Sequence, residues 1–535
     1  MIQAKRFPWR LLAVVLLIAL IGRGLLLLSN AVSFHSDEAV VALMARHILQ
    51  GERPIFFYGQ AYMGSLDAWL VAIGFSIMGQ SVLSIRIVQS VLYLLVVAVG
   101  FGAAWRLSGR GGVALAAGLL LAVPSVNFAL YTTATLGGYN ETLLFGGLLI
   151  WLGYDVTHEQ VASWWRWALL GLCAGAGWWT NGLIIAYALP VALLVLYRFA
   201  RPAGAATRRQ LLPRMGLALA TFVVGSAPWW IFDFSNDHAA LATFLTNSQT
   251  GQFAGIGIPY VPPLQRAMGW LFLGMPTALG LRFPWSPEYF LLPLGVLVLL
   301  IYVLVLLRLL RHNPLRPDAR ALLLGMPLLF AIIFVASSFG ADPTGRYFIV
   351  LALPFAIMLG TLTTLELSGW RRFLPLAALV LVIGYQGAGQ FSAATHFPGF
   401  TTQFDPASHI LNDHDADLIQ FLEANDLDTG YASYWVSFRL AFLSQERIQF
   451  SAALPYKANL SYNSADNRYR PYALTAQQAE RVAFVTTRLP ALDEWLVRLF
   501  AEQQLSYQQQ DIGPFRIYFD FGPSRPIFEA FLSTL

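Results

Sequence analysis

Eleven stretches of the chain are apolar for long enough to be read as membrane spans. They fall near 10–28, 85–105, 112–130, 142–154, 166–180, 182–198, 211–231, 288–308, 320–338, 346–365 and 373–391. Within each stretch the apolar residues run on continuously instead of alternating. That pattern selects helices over barrel strands, because hydrocarbon leaves no water for bare backbone groups. Asn181-Gly182 is the tight break between two short runs. Several runs are shorter than a perpendicular crossing needs, which implies a thinned bilayer or a half-buried helix.

The segments between the spans have patterns of their own. Asp37 to Gln50 predicts a helix stopped by Gly51, with Val40, Met44 and Ile48 on one face. Leu66 to Met78 predicts a second amphipathic helix, and both read as lying along the membrane interface. The segment 231–287 is rich in Pro, Gly and aromatics ("GIGIPYVPP", "LRFPWSPEYF") and reads as a mobile cover. From His396 onward the spans stop. "DADLIQFLEAND" and "LDEWLVRLFAEQQ" predict helices, and "ERIQFSA", "RVAFVTT" and "FRIYFDF" predict strands. The pattern therefore gives a mainly α protein. It is a polytopic membrane helix bundle of about eleven spans over 1–391, with 29–84 as its first outer loop, and a small extracytoplasmic C-terminal α/β domain over 392–535.

Composition supports the membrane reading. Of 535 residues, 57% are hydrophobic and 12% charged, against roughly 25% charged in a soluble globular protein. The net charge of +5 comes mostly from arginine, and its meaning lies in placement instead of nucleic-acid binding. With the N-terminus in the cytoplasm, the cytoplasmic segments hold 17 Lys and Arg, and the outer loops before the C-terminal domain hold 6. That bias is the positive-inside signature, and an odd number of spans puts the C-terminal part outside. Cys173 is the only cysteine, which excludes an intrachain disulfide or a thiolate metal cluster. The first run, with Ser29-Asn30-Ala31 after it, could pass for a signal peptide; its length favours an uncleaved anchor. Arg23, inside that run, is expected to snorkel outward and has no assigned role. No internal repeat, G-x-G-x-x-G or Walker A motif is found in the sequence.

Candidate chemistry sits in the outer segments. "HSDEA" places His35, Asp37 and Glu38 where the first span ends. Acidic residues on the first turn of a helix complement its dipole, and Ser36 or Asp37 can cap it. Beside a bilayer, in a loop that folds onto the spans, an ionisable residue more often serves function. Asp67 in "YGQAYMGSLDAWL" and Glu141 in "TLGGYNETLL" are further acidic candidates, and Gly137-Gly138 allows close backbone approach next to Glu141. Arg346 and Tyr347 lie in "GADPTGRYFIVLALPF", where the chain re-enters the membrane on the outer side. A guanidinium there suits a lipid phosphate. "HILNDHDAD", with His409, Asp413, His414, Asp415 and Asp417, superficially resembles a metal cluster and reads better as a solvated charge run.

A first outer loop that opens with "HSDEA" and continues into two interfacial helices resembles the polytopic glycosyltransferases of the GT-C superfamily. These include protein O-mannosyltransferases, aminoarabinose lipid A transferases and oligosaccharyltransferases. "YGQAYMGSLDAWL" and "TGRYFIVLALPF" are similar to segments of the bacterial glycosyltransferase-39-like branch, and the resemblance covers about 1–391. It implies a sugar donor carried on a polyprenyl phosphate and a lipid, glycan or protein acceptor glycosylated on the outer side of a bacterial inner membrane. Asp37 matches the catalytic aspartate, and Arg346, with Tyr347 beside it, matches the arginine near the donor phosphate. Glu38, Asp67 and Glu141 are secondary acidic candidates. The resemblance fixes no cofactor and leaves a divalent metal open: some relatives bind one in this region and others do not, and Asp37 and His35 are the possible ligands.

The chemistry agrees with that layout. A sugar leaving a phosphodiester departs as a stable phosphate and needs no general acid, unlike a glycosidase leaving group. One base for the acceptor hydroxyl and one cation near the departing phosphate are sufficient. Attack from the face opposite the phosphate inverts the anomeric carbon. The alternative is a transporter or flippase of a lipid-linked sugar, for which inverted repeats and midplane polar sites would be expected. A non-catalytic scaffold would leave Asp37 and Arg346 without purpose.

Overall fold

The computed structural model describes all residues except 1–5, 159–161, 202–204, 251–260, 313, 458 and 527–535. Residues 251–260, within the segment read as a cover, therefore lie outside the described residues.

Helix α1 (Trp9–Leu28) has 20 residues, about 30 Å of rise, which matches the hydrocarbon thickness. Among the described residues seven helices are long and apolar enough to cross a membrane; a bent pair, Arg208–Gly225 with Ala227–Ser235, would make an eighth. Eleven spans are thus not confirmed, although every predicted run is helical for most of its length. Proline explains two of the differences. Pro124 divides the expected 112–130 run into Gly111–Ala122 and Val126–Tyr131, since it lacks an N–H and crowds the preceding turn. Pro228 opens the second half of the bent pair, which turns by 62°.

Helix α2 (Ser36–Leu49), α3 (Leu66–Met78) and α4 (Val82–Ser108) follow α1. Neither Ser36 nor Asp37 caps α2: His35 occupies the N-cap position, and no side chain bonds there. Nor does α2 show an exposed face. From Ser36 to Ile48 every residue but Asp37 is buried, between α3 on one side and the C-terminal helix Tyr434–Leu443 on the other. Between α2 and α3 the chain forms a small antiparallel pair, β1 (Phe56–Phe57) and β2 (Gln60–Gly64), which the sequence pattern did not reveal.

That hairpin is held from below. Trp179 Nε1 donates to Ile55 O at 3.0 Å, and Met63 bridges Asn181. Both contacts come from the end of the helix Trp164–Thr180, which lies against Ala205–Gly225 in close backbone contact. A Cβ on Gly171 would fall 2.0 Å from Ala218 O, and one on Gly175 2.1 Å from Phe222 O. Small residues four apart are what permit such an approach inside a membrane.

The C-terminal part is a five-stranded mixed sheet of order β4-β3-β5-β7-β6. Its strands are β3 (Thr429–Ser433), β4 (Gln449–Leu454), β5 (Ala483–Thr486), β6 (Ser506–Ile512) and β7 (Phe515–Gly522). β3 pairs in parallel with β4 and β5; β7 pairs antiparallel with β5 and β6. The sheet is fastened to the first outer loop at both ends of α2. Asn412 Oδ1 accepts from Phe34 N at 2.9 Å, and Asn412 Nδ2 donates to Phe34 O at 2.9 Å, as a strand would. At the other end Glu446 takes His47 at 2.9 Å, Arg46 at 3.4 Å and the Tyr472 hydroxyl at 2.7 Å.

Candidate active site

Asp37 stands on the first turn of α2, half-buried, as the one residue of that helix's buried stretch with access to solvent. The Tyr434 hydroxyl donates to its Oδ1 at 2.5 Å. That bond fixes one carboxylate oxygen and leaves the other for a substrate proton. Tyr434 opens the helix after β3, so the C-terminal sheet supplies the partner. The charge of Asp37 also acts on Tyr131, Tyr456, Asp466 and Arg468. Burial pushes Asp466 up to about 6. Burial also works against the charge of Arg468, but Tyr434, Asp37 and Tyr62 outweigh it and hold that guanidinium above its ordinary range.

Arg346 follows a tight turn, Asp342-Pro-Thr-Gly-Arg. Asp342 Oδ1 accepts from Thr344 N at 2.8 Å and from the Thr344 hydroxyl at 2.5 Å, a local bond that aspartate favours. Gly345 has φ +74°, and a Cβ there would meet Thr277 at 2.8 Å, so the turn needs glycine on both counts. The turn brings Arg346 Nε to 2.7 Å from Asp342 Oδ2, and Arg346 Nη2 donates to the Tyr347 hydroxyl at 2.9 Å. Arg346 is therefore already ion-paired, which the sequence did not indicate. The charges of Asp37 and Arg346 both act on Tyr131, whose ring lies 5.3 Å from that of Tyr139. The charges of the acid from the head of the chain and of the cation from far downstream thus both reach Tyr131.

The other acidic candidates are placed elsewhere. Successive helix residues point about 100° apart, so Glu38 turns inward from Asp37. It is fully buried, with Arg86 Nη2 at 2.9 Å, a contact whose angle falls short of a hydrogen bond. Burial raises Glu38 to about 7 in spite of Arg86. Asp67 is buried and binds a loop together. It accepts from Gln89 at 2.9 Å, from the backbone of Gly137 and Gly138 at 3.2 Å each, and from Thr135. Glu141 is buried next to Asp67, and neither of its carboxylate oxygens has a hydrogen-bond partner among the described residues. Asp67 thus ties that loop together, and the charges of Asp67 and Asp37 both act on Glu38.

His35 is buried against Trp435, and both ring nitrogens lack partners among the described residues. Burial pushes it down to about 4. Among the described residues no group of three His, Cys, Asp or Glu is arranged to hold a metal. The "HILNDHDAD" run is only partly solvated. His414 and Asp417 pair on the surface, but Asp415 is buried against Arg439 at 2.8 Å, and Asn412 holds the backbone before Asp37. Arg23 also differs from expectation. It points inward, donating to the Thr132 hydroxyl at 2.7 Å and lying 4.0 Å over the Tyr93 ring, and so ties α1 to the helix before the site. Tyr434, Arg468 and Asp342, which bond to or act on the candidates Asp37 and Arg346, were not singled out from the sequence.

This architecture is a fold shared with solved structures of an ArnT and an oligosaccharyltransferase. Over 97% of this chain and 98% of the other, it superposes on ArnT from Cupriavidus metallidurans bound to undecaprenyl phosphate, with a TM-score of 0.63 and 14% identity. The apo oligosaccharyltransferase of Archaeoglobus fulgidus matches at a TM-score of 0.50 and 14% identity, over 96% of this chain and 74% of that one. Among curated proteins the chain is similar to undecaprenyl phosphate-alpha-4-amino-4-deoxy-L-arabinose arabinosyl transferases. The Pseudomonas aeruginosa (strain UCBPP-PA14) protein is 27% identical over 369 residues, 67% of this chain and 60% of that protein. Transferase 1 of Pseudomonas fluorescens (strain Pf-5) is 26% identical over 331 residues, 60% of this chain and 53% of that protein. The chain therefore spans less than two thirds of the length of these curated relatives. No family model matches the sequence.

Proposed function

We propose that this protein is a membrane glycosyltransferase that moves a sugar from a polyprenyl-phosphate donor to an acceptor on the outer side of a bacterial inner membrane. The observation that carries the reading is that a half-exposed carboxylate, Asp37, held by Tyr434, and a cation, Arg346, both act electrostatically on Tyr131. Asp37 takes the proton of the acceptor hydroxyl. Arg346, with Tyr347, faces the donor phosphate and stabilises the charge that develops as it departs. Phosphate is a good leaving group, so no acid is needed, and displacement from the opposite face inverts the anomeric carbon. The curated relatives are named for transfer of a sugar carried on undecaprenyl phosphate, which supports the same donor class here.

In this reading residues 1–391 form the catalytic membrane part and 392–535 the outer part that docks on it. The N-terminus lies in the cytoplasm and the C-terminal sheet outside, in line with the distribution of arginine. The test is transfer of radiolabelled sugar from a polyprenyl-phosphate donor in proteoliposomes supplied with envelope lipids. Donor-dependent, time-dependent labelling of an acceptor supports the reading; movement of intact donor across the bilayer without transfer would favour a flippase.

A further inference from the structure

Arg46, Arg86, Arg346 and Arg439 each have a carboxylate within reach, at 3.4, 2.9, 2.7 and 2.8 Å. Arg468 differs. Among the described residues it forms no ion pair, although its guanidinium is half-buried beside Asp37 and Tyr434. It is nonetheless firmly seated. With the Gln60 amide oxygen turned toward it, Gln60 accepts from Nη1 at 2.6 Å and from Nη2 at 2.9 Å. Its Cζ lies 5.5 Å from the Tyr434 ring centroid and 6.0 Å from that of Phe57. Gly59, at φ +70°, makes room for it, since a Cβ there would lie 3.1 Å from Arg468 Cδ. Its Nε is buried without a hydrogen-bond partner. The carboxylates of Asp37 and Asp466 act on it, but among the described residues neither closes an ion pair with it, so its donor fork is not taken up by an anion.

We propose that Arg468, with Gln60 and Tyr62, forms a subsite for a phosphoryl group of a substrate. The proposal rests on the glycosyltransferase reading above. Three observations carry it. The guanidinium fork suits phosphoryl oxygens, and its neutral Gln60 partner leaves the charge intact. Tyr62 lies on the same strand as Gln60 and is coupled electrostatically to Arg468 and to Tyr139 and Tyr347, on which Arg346 also acts. Arg468 also lies beside Asp37, where the accepting nucleophile must arrive. The phosphoryl group has two possible sources, the donor's phosphodiester or a phosphate borne by the acceptor. In either case the C-terminal domain contributes a second cation beside the Arg346 of the membrane part.

Transfer kinetics separate the sources. Arg468→Gln raises one KM roughly 10- to 100-fold, the loss expected for a charge-assisted hydrogen bond, while kcat and the melting temperature stay near those of the unsubstituted protein. Arg468→Lys recovers part of that loss. A rise in the donor KM assigns the subsite to the donor, and a rise in the acceptor KM assigns it to an anionic acceptor; unchanged KM values for both overturn the proposal. A second readout uses the unsubstituted full chain, so it does not depend on a variant folding. Phenylglyoxal modification of Arg468 is followed by mass spectrometry with undecaprenyl phosphate or with lipid A, a phosphorylated lipid. Modification slowed about tenfold by either one supports the subsite, and equal rates throughout remove it. Transfer by the unsubstituted protein judges the enzyme reading separately: transfer with Arg468 unprotected removes only the subsite. Absence of transfer removes the enzyme reading, whatever happens at Arg468.

Discussion

A turn of about 100° between successive helix positions is enough to give two adjacent carboxylates different chemistry. Asp37 acts, like Arg346, on Tyr131 and takes a bond from Tyr434; Glu38 faces Arg86 in the interior. Replacing Asp37 with Asn keeps the shape and removes the proposed base, so kcat should fall by about 10²- to 10⁴-fold, the range for general-base catalysis. The melting temperature should hold. Near-normal turnover in that variant would take the base assignment away from Asp37. Replacing Glu38 with Ala should do the reverse. It strands the Arg86 guanidinium, which costs about 3–5 kcal/mol for a broken buried pair. A clear drop in melting temperature by scanning fluorimetry is expected, and an unchanged melting point would mean that the pair contributes nothing. The sequence made Asp37 legible because an acidic helix start beside a span is a local pattern. It could not single out Asp37 from Glu38 as the exposed one until α2 was seen to be covered on both sides. Tyr434 was out of reach for a different reason: it meets Asp37 across 397 positions of chain, and no local pattern encodes a docking contact.

At the scale of elements, hydrophobic runs located the helices well, and the pattern of "ERIQFSA", "RVAFVTT" and "FRIYFDF" located β4, β5 and β7. What stayed hidden was short or not alternating. β1 has two residues, and β3, "TGYAS", is buried along its whole length and so shows no polar face. Yet the hairpin matters, because β2 carries Gln60 and Tyr62. Its support runs through Trp179 and Asn181 to the helix Trp164–Thr180 and its glycine contact with Ala205–Gly225. Gly175→Val would drive side-chain atoms into the Phe222 carbonyl, where even a Cβ would stand 2.1 Å away. Overpacking of this kind costs about 1–3 kcal/mol or more. The variant should therefore melt at lower temperature and lose transfer activity, although it lies outside the catalytic region. Full activity and stability in Gly175→Val would show that the two helices separate at little cost.

For the molecule as a whole, the proposed orientation joins charge distribution and fold: the arginine-rich segments face the cytoplasm, and the C-terminal sheet, which clasps α2 by Asn412 at one end and Glu446 at the other, lies outside. Sidedness depends on the parity of the span count. Seven or eleven spans put the two ends of the chain on opposite sides, whereas eight put them on the same side. Alkaline phosphatase fused after Leu535 should be active outside the cytoplasm, and cytoplasmic retention would require an even count. The most direct test of the central claim is the rate of sugar transfer in proteoliposomes from a polyprenyl-phosphate donor, measured side by side for the unsubstituted protein and Asp37→Asn at equal folded protein. Transfer by the former and its loss by at least about a hundredfold in the latter is the expected result. Equal transfer by both, or none by either with donor and envelope acceptors present, would contradict it.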